Sequence, residues 1–264
     1  MVKRKKALVF IMSLIVLVLL FSMIVVYRGK NAVPFNFKVS YIEETSEKIP
    51  TNFNDVKILF LTDIEYGALF TEQHLLKLKT AINNLDVDIV LFGGDLFDKN
   101  YAPVSSDVDL LTDLLSSIKA PLGKFAILGD FDISTETREI LVKKVLNDSN
   151  FELISSEMKL YNNSTGYIIL SGDNYASNTI EQISLDSYSI VLLHGTDTYK
   201  NLPVHVNLVL SGHTHDKQVN FFSKADYKFG KTTNLYRSRG IGLTKYDYRI
   251  FSSPEIVVIT LKSK

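Results

Sequence analysis

Apolar residues fall along this chain in three rhythms. From Ala7 to Tyr27 they are nearly continuous: 7-ALVFIMSLIVLVLLFSMIVVY-27 runs twenty-one residues without a charge. A helix of that length spans roughly 31 Å, the thickness of a bilayer's hydrocarbon core. Beyond it, 35-FNFKVSY-41 alternates apolar and polar, the period of a half-buried strand, and 56-VKILFLT-62 is an unbroken apolar run of strand length. Leu75, Leu78, Ile82 and Leu85 then recur every three or four residues and mark one face of a helix. A strand at 88-DIVLF-92, a helix with Val108, Leu111, Leu115 and Ile118 inward, a strand at 124-KFAIL-128 and a helix over 135–147 continue the alternation. It predicts a parallel sheet with helices packed on it. Past residue 150 the rhythm changes. Short apolar runs at 151–154, 167–170, 188–193, 206–210 and 255–261 have little helical pattern between them and predict mostly strands. The expected fold class is α/β, a layered sandwich in one globular domain, since no Pro- or Gly-rich linker divides the body. The expected divisions are residues 1–30, a basic stub and membrane-crossing helix; 31–50, a juxtamembrane segment and first strand; and 51–264, the globular domain.

Charge sharpens the reading of the N-terminal segment. The formal net charge is zero, yet residues 1–30 contain Lys3, Arg4, Lys5, Lys6, Arg28 and Lys30 and no acid. Removing these six from 29 basic residues leaves 23 against 29 acidic ones in the body. A mildly acidic body argues against nucleic acid as a partner, which would need a basic face. The apolar run is longer than a typical signal peptide's, and Val26-Tyr27-Arg28 offers no small-x-small cleavage site, which favours an uncleaved signal anchor over a cleaved peptide. Four basic residues before the run outweigh two after it. The positive-inside rule then leaves the N-terminus cytoplasmic and places the body outside, on a single-pass cell-membrane protein. The chain has no cysteine, which excludes disulfides, thiolate metal sites and cysteine nucleophiles; an exported domain without disulfides suits a bacterial exterior.

The candidate chemistry stands where the predicted strands end, the edge at which open α/β sheets gather ligands. After 56-VKILFLT-62 comes Asp63-Ile64-Glu65; after 88-DIVLF-92 come Gly93-Gly94-Asp95 and then Asp98; after 124-KFAIL-128 come Gly129-Asp130 and then Asp132. After 188-YSIVLL-193 comes His194, and after 206-VNLVLSG-212 comes His213-Thr214-His215. An aspartate after one strand is ordinarily a cap or turn residue, and one histidine is ordinarily a hydrogen-bonded core or rim residue. Five successive strand ends bearing carboxylates or imidazoles point instead to a common site. Such a sulfur-free set suits hard to borderline divalent ions, Mn, Fe, Zn or Mg. Seven candidate ligands exceed what one ion with an open position takes, and fit two ions sharing a carboxylate, a pair that activates water and clamps a phosphoryl oxygen.

In order and context these motifs resemble the calcineurin-like metallophosphoesterases, particularly their membrane-associated bacterial branch. That pattern reads D-x-H, G-D-x-x-D, G-N-H-D, an isolated H, and G-H-x-H. Here it stands as Asp63-Ile64-Glu65, Gly94-Asp95-Leu96-Phe97-Asp98, Gly129-Asp130-Phe131-Asp132, His194, and Gly212-His213-Thr214-His215, over roughly residues 50–264 including 240-GIGLTKYDYRIFSSPEIVVITL-261. The resemblance implies an α/β/β/α sandwich. It implies one metal held by Asp63, Glu65, Asp95 and His215, a second held by Asp95, Asp130, His194 and His213 with Asp95 bridging, and Asp98 and Asp132 orienting ligands and loops from behind. The residues it assigns to catalysis are Asp95, Asp132 and His194.

Three positions depart from the pattern. Glu65 stands for a histidine ligand, Asp130 for an asparagine, and Phe131 for the histidine that assists the leaving group. Four carboxylates around two divalent ions bring the net charge of the centre from about +2 to about zero and favour Mn or Mg over iron. Two functions follow as expectations. One is a membrane-anchored hydrolase of a phosphodiester, phosphomonoester or pyrophosphate, acting on a phosphorylated small molecule or lipid-linked substrate. The other is a weakly active or inactive relative that binds metal and a phosphorylated ligand or a protein partner.

Overall fold

The computed structural model describes the chain except for residues 1, 155–157, 164–165, 173–185, 196–201, 203–204, 214–217, 220–225 and 230–232. It opens with helix α1 (Val2–Asn31), a 3-10 turn at Val33–Phe35, and strand β1 (Lys38–Ser46). Strand and helix then alternate: β2 (Lys57–Leu61), α2 (Glu72–Asn83), β3 (Ile89–Phe92), α3 (Ser105–Ser116), β4 (Gly123–Ala126), α4 (Glu136–Asp148) and β5 (Phe151–Leu153). Among the described residues that follow are β6 (Met158–Asn162), β7 (Gly166–Gly172), β8 (Ser189–Leu193), β9 (Leu208–Ser211), β10 (Asp226–Phe229), β11 (Asn234–Arg237) and β12 (Glu255–Ser263).

Among the described residues these strands form two six-stranded sheets, ordered β1-β12-β2-β3-β4-β5 and β10-β11-β9-β8-β7-β6. The parallel pairing expected of the first half holds from β2 to β5, but β12 enters beside β2 antiparallel and carries β1 parallel on its far side. Thus β1 begins three residues later than its alternation suggested, after a turn that contains Pro34.

Why the strands read as unbroken apolar runs is visible in their two faces. Leu59, Leu61, Val90, Phe92 and Ala126 face α2, α3 and α4, whereas Ile58, Phe60, Ile89, Leu91, Phe125 and Ile127 face the second sheet. That sheet answers with Ile168, Leu170, Ile190, Leu192, Leu208 and Leu210. Both faces of the first sheet are covered, so side chains alternating up and down are apolar on both sides. The far face of the second sheet carries its own apolar cluster, including Ile169, Val191, Leu193 and Val209. The outer helical layer expected there falls on segments outside the described residues.

Helix α1 packs differently. Leu8 to Leu20 and on to Tyr27 are exposed on every side of it, and one span from Arg4 to Phe35 is long and apolar enough to cross a membrane. An all-round apolar helix is at equilibrium only in a membrane or a large core.

At the start of α2, the Thr71 N–H donates to His74 Nδ1 (3.1 Å), and the imidazole stacks on Phe35 and Phe70 with ring centroids 4.1 and 4.9 Å away. Burial pushes the His74 imidazole down to about 4 from 6.5. As pH falls below 6.5 the unfolded chain binds the proton first, so stability is intact above that value and declines through the window down to about 4. Solvent screening at this helix end keeps the loss to about 1 kcal/mol at pH 5. The unfolding free energies from urea titrations at pH 7.5 and pH 5 should therefore converge by that amount in His74→Gln relative to wild type, the glutamine preserving an acceptor at the capping position. Identical pH dependence in the two proteins would contradict the assignment.

Candidate metal centre

The parallel register of β2, β3 and β4 brings three loops together at their carboxyl ends, and β8 beside β9 does the same for His194 and His213. The ladder between the first two loops continues past the strands. Asp63 N–H donates to Gly94 O (2.9 Å), Glu65 N–H to Asp95 O (3.1 Å) and Tyr66 N–H to Leu96 O (2.9 Å). Four of the candidate ligands, Asp63, Glu65, Asp95 and His213, hold φ between 52° and 65°. That left-handed conformation costs an L-residue about 1–2 kcal/mol, and its recurrence at strand ends turns successive side chains toward one point.

Asp132 is fully buried, and its carboxylate ties two of the loops. Oδ2 accepts the N–H groups of Asp95 (2.8 Å) and Gly129 (2.9 Å), and Oδ1 accepts that of Leu96 (2.9 Å). Burial, with the nearby Asp95 charge, pushes its carboxyl up to about 7 despite these bonds. The loops meet closely enough to exclude side chains: a Cβ on Gly94 would lie 2.4 Å from Gly129 N, and one on Gly129 would lie 2.1 Å from Asp95 Oδ1. Asp98 acts on a loop: its carboxylate accepts the Asn100 N–H (2.8 Å) and folds the segment that follows Asp95.

Two groups of ligand atoms emerge, each within 4.8 Å: Asp95, Asp130, His194 and His213 in one, Asp63, Glu65 and Asp95 in the other. Asp95 belongs to both. His215 lies outside the described residues. In the first group His194 Nδ1 is 2.8 Å from Gly93 O, a contact that requires its proton there and leaves Nε2 with a lone pair. Nε2 stands 2.9 Å from both Asp95 Oδ2 and Asp130 Oδ1 and 3.1 Å from His213 Nδ1. Both carboxylate oxygens are buried without a hydrogen-bond donor. Acceptors facing one another at such distances in a buried place require a positive species among them, a proton or a metal ion. As a proton site, burial would lower the His194 imidazole, but Asp130 and Asp95 carry it up to about 12, and the same imidazolium holds the Asp130 carboxyl below its usual range. The second group places three buried carboxylates together and has the same requirement. The donor set therefore fits divalent cations. The centre is open on one side, where Asp130 and His213 are 31% and 39% exposed.

The spare histidines stand elsewhere. His74 is held in the core at α2, and His205 precedes β9 at the end opposite His213, about 13 Å of strand away. Phe131 N–H donates to Asp95 Oδ1 (3.1 Å), so this residue serves the centre through its backbone, while Lys99 Nζ lies 5.5 Å from its ring centroid. Two buried arginines also support the loops. Arg138 donates to the carbonyls of Phe97, Asp98, Lys99 and Tyr101. Arg249 donates through Nη2 to those of Arg239, Gly240 and Gly242; Gly242 N–H in turn donates to Asp63 O (2.7 Å). A signal for Arg138 existed, since it shares the inward helical face with Val142 and Val145. Arg249 lies in an irregular stretch and had none.

The sequence model described as Calcineurin-like phosphoesterase matches residues 56–217, more than half of the chain. An uncharacterized metallophosphoesterase of Campylobacter jejuni is 30% identical over 97% of this chain and 71% of its own length. The Bacillus subtilis metallophosphoesterase YkuE is 28% identical over 83% of each. A zebrafish (Danio rerio) transmembrane protein with a metallophosphoesterase domain is 25% identical over 85% of this chain and 57% of its own. Joined to two mixed sheets whose strand ends converge on a buried Asp/Glu/His cluster, these likenesses identify the chain as a member of the calcineurin-like phosphoesterase family.

Proposed function

We propose that the protein is a membrane-anchored phosphoesterase that hydrolyses a phosphodiester, phosphomonoester or pyrophosphate with two divalent ions. The observation that carries this reading is the sharing of Asp95 between the two ligand groups. Asp63, Glu65 and Asp95 would hold one ion, with His215 as a further ligand, and Asp95, Asp130, His194 and His213 the other. The bound ions supply Lewis acidity, polarising a phosphoryl oxygen and making water a nucleophile near neutral pH. The chain's own residues position the reaction. Gly93 O fixes the ring of His194, and Asp132 sets the distance between the Asp95 and Gly129 loops. Carboxylate-rich ligation favours Mn over softer ions.

Phe131 limits the chemistry. It offers no transferable proton, and general acid–base help is worth about 10²–10⁴-fold. Substrates with good leaving groups, pyrophosphates or activated diesters, lose least. With α1 crossing the cell membrane and the body outside, the substrate is a phosphorylated molecule at the envelope, lipid-linked or small. The same Phe131 supports a second reading, a relative that holds metal and a phosphorylated ligand with little turnover.

Turnover of a bis-aryl phosphodiester by the full chain in detergent with Mn separates the two readings; two bound ions per chain without turnover would leave the second. Asp95→Asn should lower bound metal in elemental analysis to one ion or fewer per chain and cut turnover at least about 100-fold, and full activity would remove Asp95 from its shared role. Asp132→Asn places an amide NH₂ where an acceptor is required, and should lower urea stability by about 1–3 kcal/mol while weakening Mn binding about 10–100-fold. Phe131→His should raise kcat about 10²-fold on alkyl esters while leaving aryl esters little changed. A uniform gain on both would show that proton donation is not what the loop lacks.

A further inference from the structure

Where α1 leaves its apolar stretch it is seated on the globular body. Gly29 is buried there. Its carbonyl accepts the Arg249 N–H (2.9 Å), and a Cβ would lie 2.9 Å from the Ile250 side chain and 3.0 Å from Arg249 O. Lys30 pairs with Asp247 at 2.5 Å. Between this last part of α1 and the segment 249–253 lies a cleft of about 430 Å³, with Val25, Arg28, Arg239, Arg249, Phe251 and Ser252 among its walls and no carboxylate in its lining.

Arg28, Arg239 and Arg249 thus bring three positive charges to the walls of one cleft. The buried polar atoms make a stronger case. Arg249 is 1% exposed, and while Nη2 holds three carbonyls, Nε and Nη1 are buried without an acceptor. Ser252, also 1% exposed, has its Oγ buried without a partner. Unsatisfied donors on a buried guanidinium are costly, and a phosphate oxygen is the acceptor such donors match. The position of the cleft selects the source. Arg28 follows directly on the twenty-one-residue uncharged run, so on the reading of α1 as a membrane span it lies at headgroup depth. Val25 and Phe251 add apolar surface to the walls. Phe251 is 58% exposed and held at φ 55°, a strained conformation for an aromatic residue.

We propose that this cleft binds the phosphate group of an anionic phospholipid from the membrane that α1 crosses, with Arg28, Arg239 and Arg249 as cationic donors, Ser252 as a neutral one, and Phe251 and Val25 against the acyl chains. None of the candidate metal ligands lines this cleft. It rests on the reading of α1 as a membrane span, which co-flotation of the full chain with vesicles checks independently.

The test is the thermal unfolding midpoint of the full chain in an uncharged detergent, titrated with phosphatidylglycerol, phosphatidylcholine or inorganic phosphate. Phosphatidylglycerol should raise the midpoint saturably, and phosphatidylcholine at equal concentration should not. Arg28→Glu combined with Arg239→Gln should weaken the apparent Kd at least about tenfold, and Arg28→Lys should retain most of the affinity. Equal response to both lipids, or an undiminished response in the double variant, would overturn the proposal. A shift by inorganic phosphate that the double variant abolishes would overturn the lipid assignment, whereas one that it leaves intact belongs to the metal centre and leaves the lipid comparison to decide. Because the readout is binding, a chain that binds phosphatidylglycerol without hydrolysing any ester counts against the hydrolase reading alone.

Discussion

The candidate centre depends first on Asp132. One buried carboxylate accepts three backbone N–H groups from two loops, and those loops carry Asp95 and Asp130. Without an acceptor at that point, Asp95 N, Leu96 N and Gly129 N would be buried donors pointing at one another's territory. Each would incur a desolvation penalty of about 1–3 kcal/mol. The distance between the loops is thus set by backbone hydrogen bonding before any metal is considered. That is why the absence of side chains at Gly94 and Gly129 matters: the carboxylate draws the loops nearer than a Cβ would permit.

This brace creates an electrostatic problem. Asp95, Asp63 and Glu65 are all essentially inaccessible to water, and Asp130 lies 2.9 Å from His194. Carboxylates so placed cannot all be ionised without a counter-charge. The directions of the acid shifts express it: burial raises the Asp95 and Asp132 carboxyls, whereas contact with His194 lowers Asp130. A proton on His194 or a divalent cation answers the same requirement, so metal binding here competes with protons and should weaken as pH falls.

Much of this was legible in the residues because the first sheet is buried on both faces. Unbroken runs such as 88-DIVLF-92 stand out, and the polar residues that end them are conspicuous by contrast. The helices could be placed from their inward positions for the same reason. The arrival of β12 antiparallel beside β2 was not legible, since an apolar run does not state its direction or its neighbours. Nor were β6 and β11, short and less uniformly apolar. Asp98 shows how spacing leaves the manner of support open: its carboxylate folds the loop after Asp95 by a local turn bond that the motif does not specify. Backbone roles are hidden altogether. Phe131 meets Asp95 through an N–H that any residue but proline would supply.

The two buried arginines show why loops this irregular keep their shape. Each donates only to backbone carbonyls in the bonds that define these loops, and a carbonyl partner accepts a donor without neutralising the charge. Arg138 gathers the carbonyls of 97–101 into a turn that no repeating ladder would hold, and Arg249 does the same for 239–242 behind Asp63. The second remains a full positive charge in a low-dielectric place, and its attraction to Asp63 and Glu255 partly offsets the burial that pulls the guanidinium down to about 10. It therefore reduces the repulsion among the acidic ligands from behind, leaving less for cations to compensate at the front. Arg249 is also joined through its backbone N–H to Gly29 at the end of α1. The residue that shapes the wall behind Asp63 is thus the one on which the N-terminal helix is seated, so displacement of that helix would be felt at the ligand loop through a single side chain.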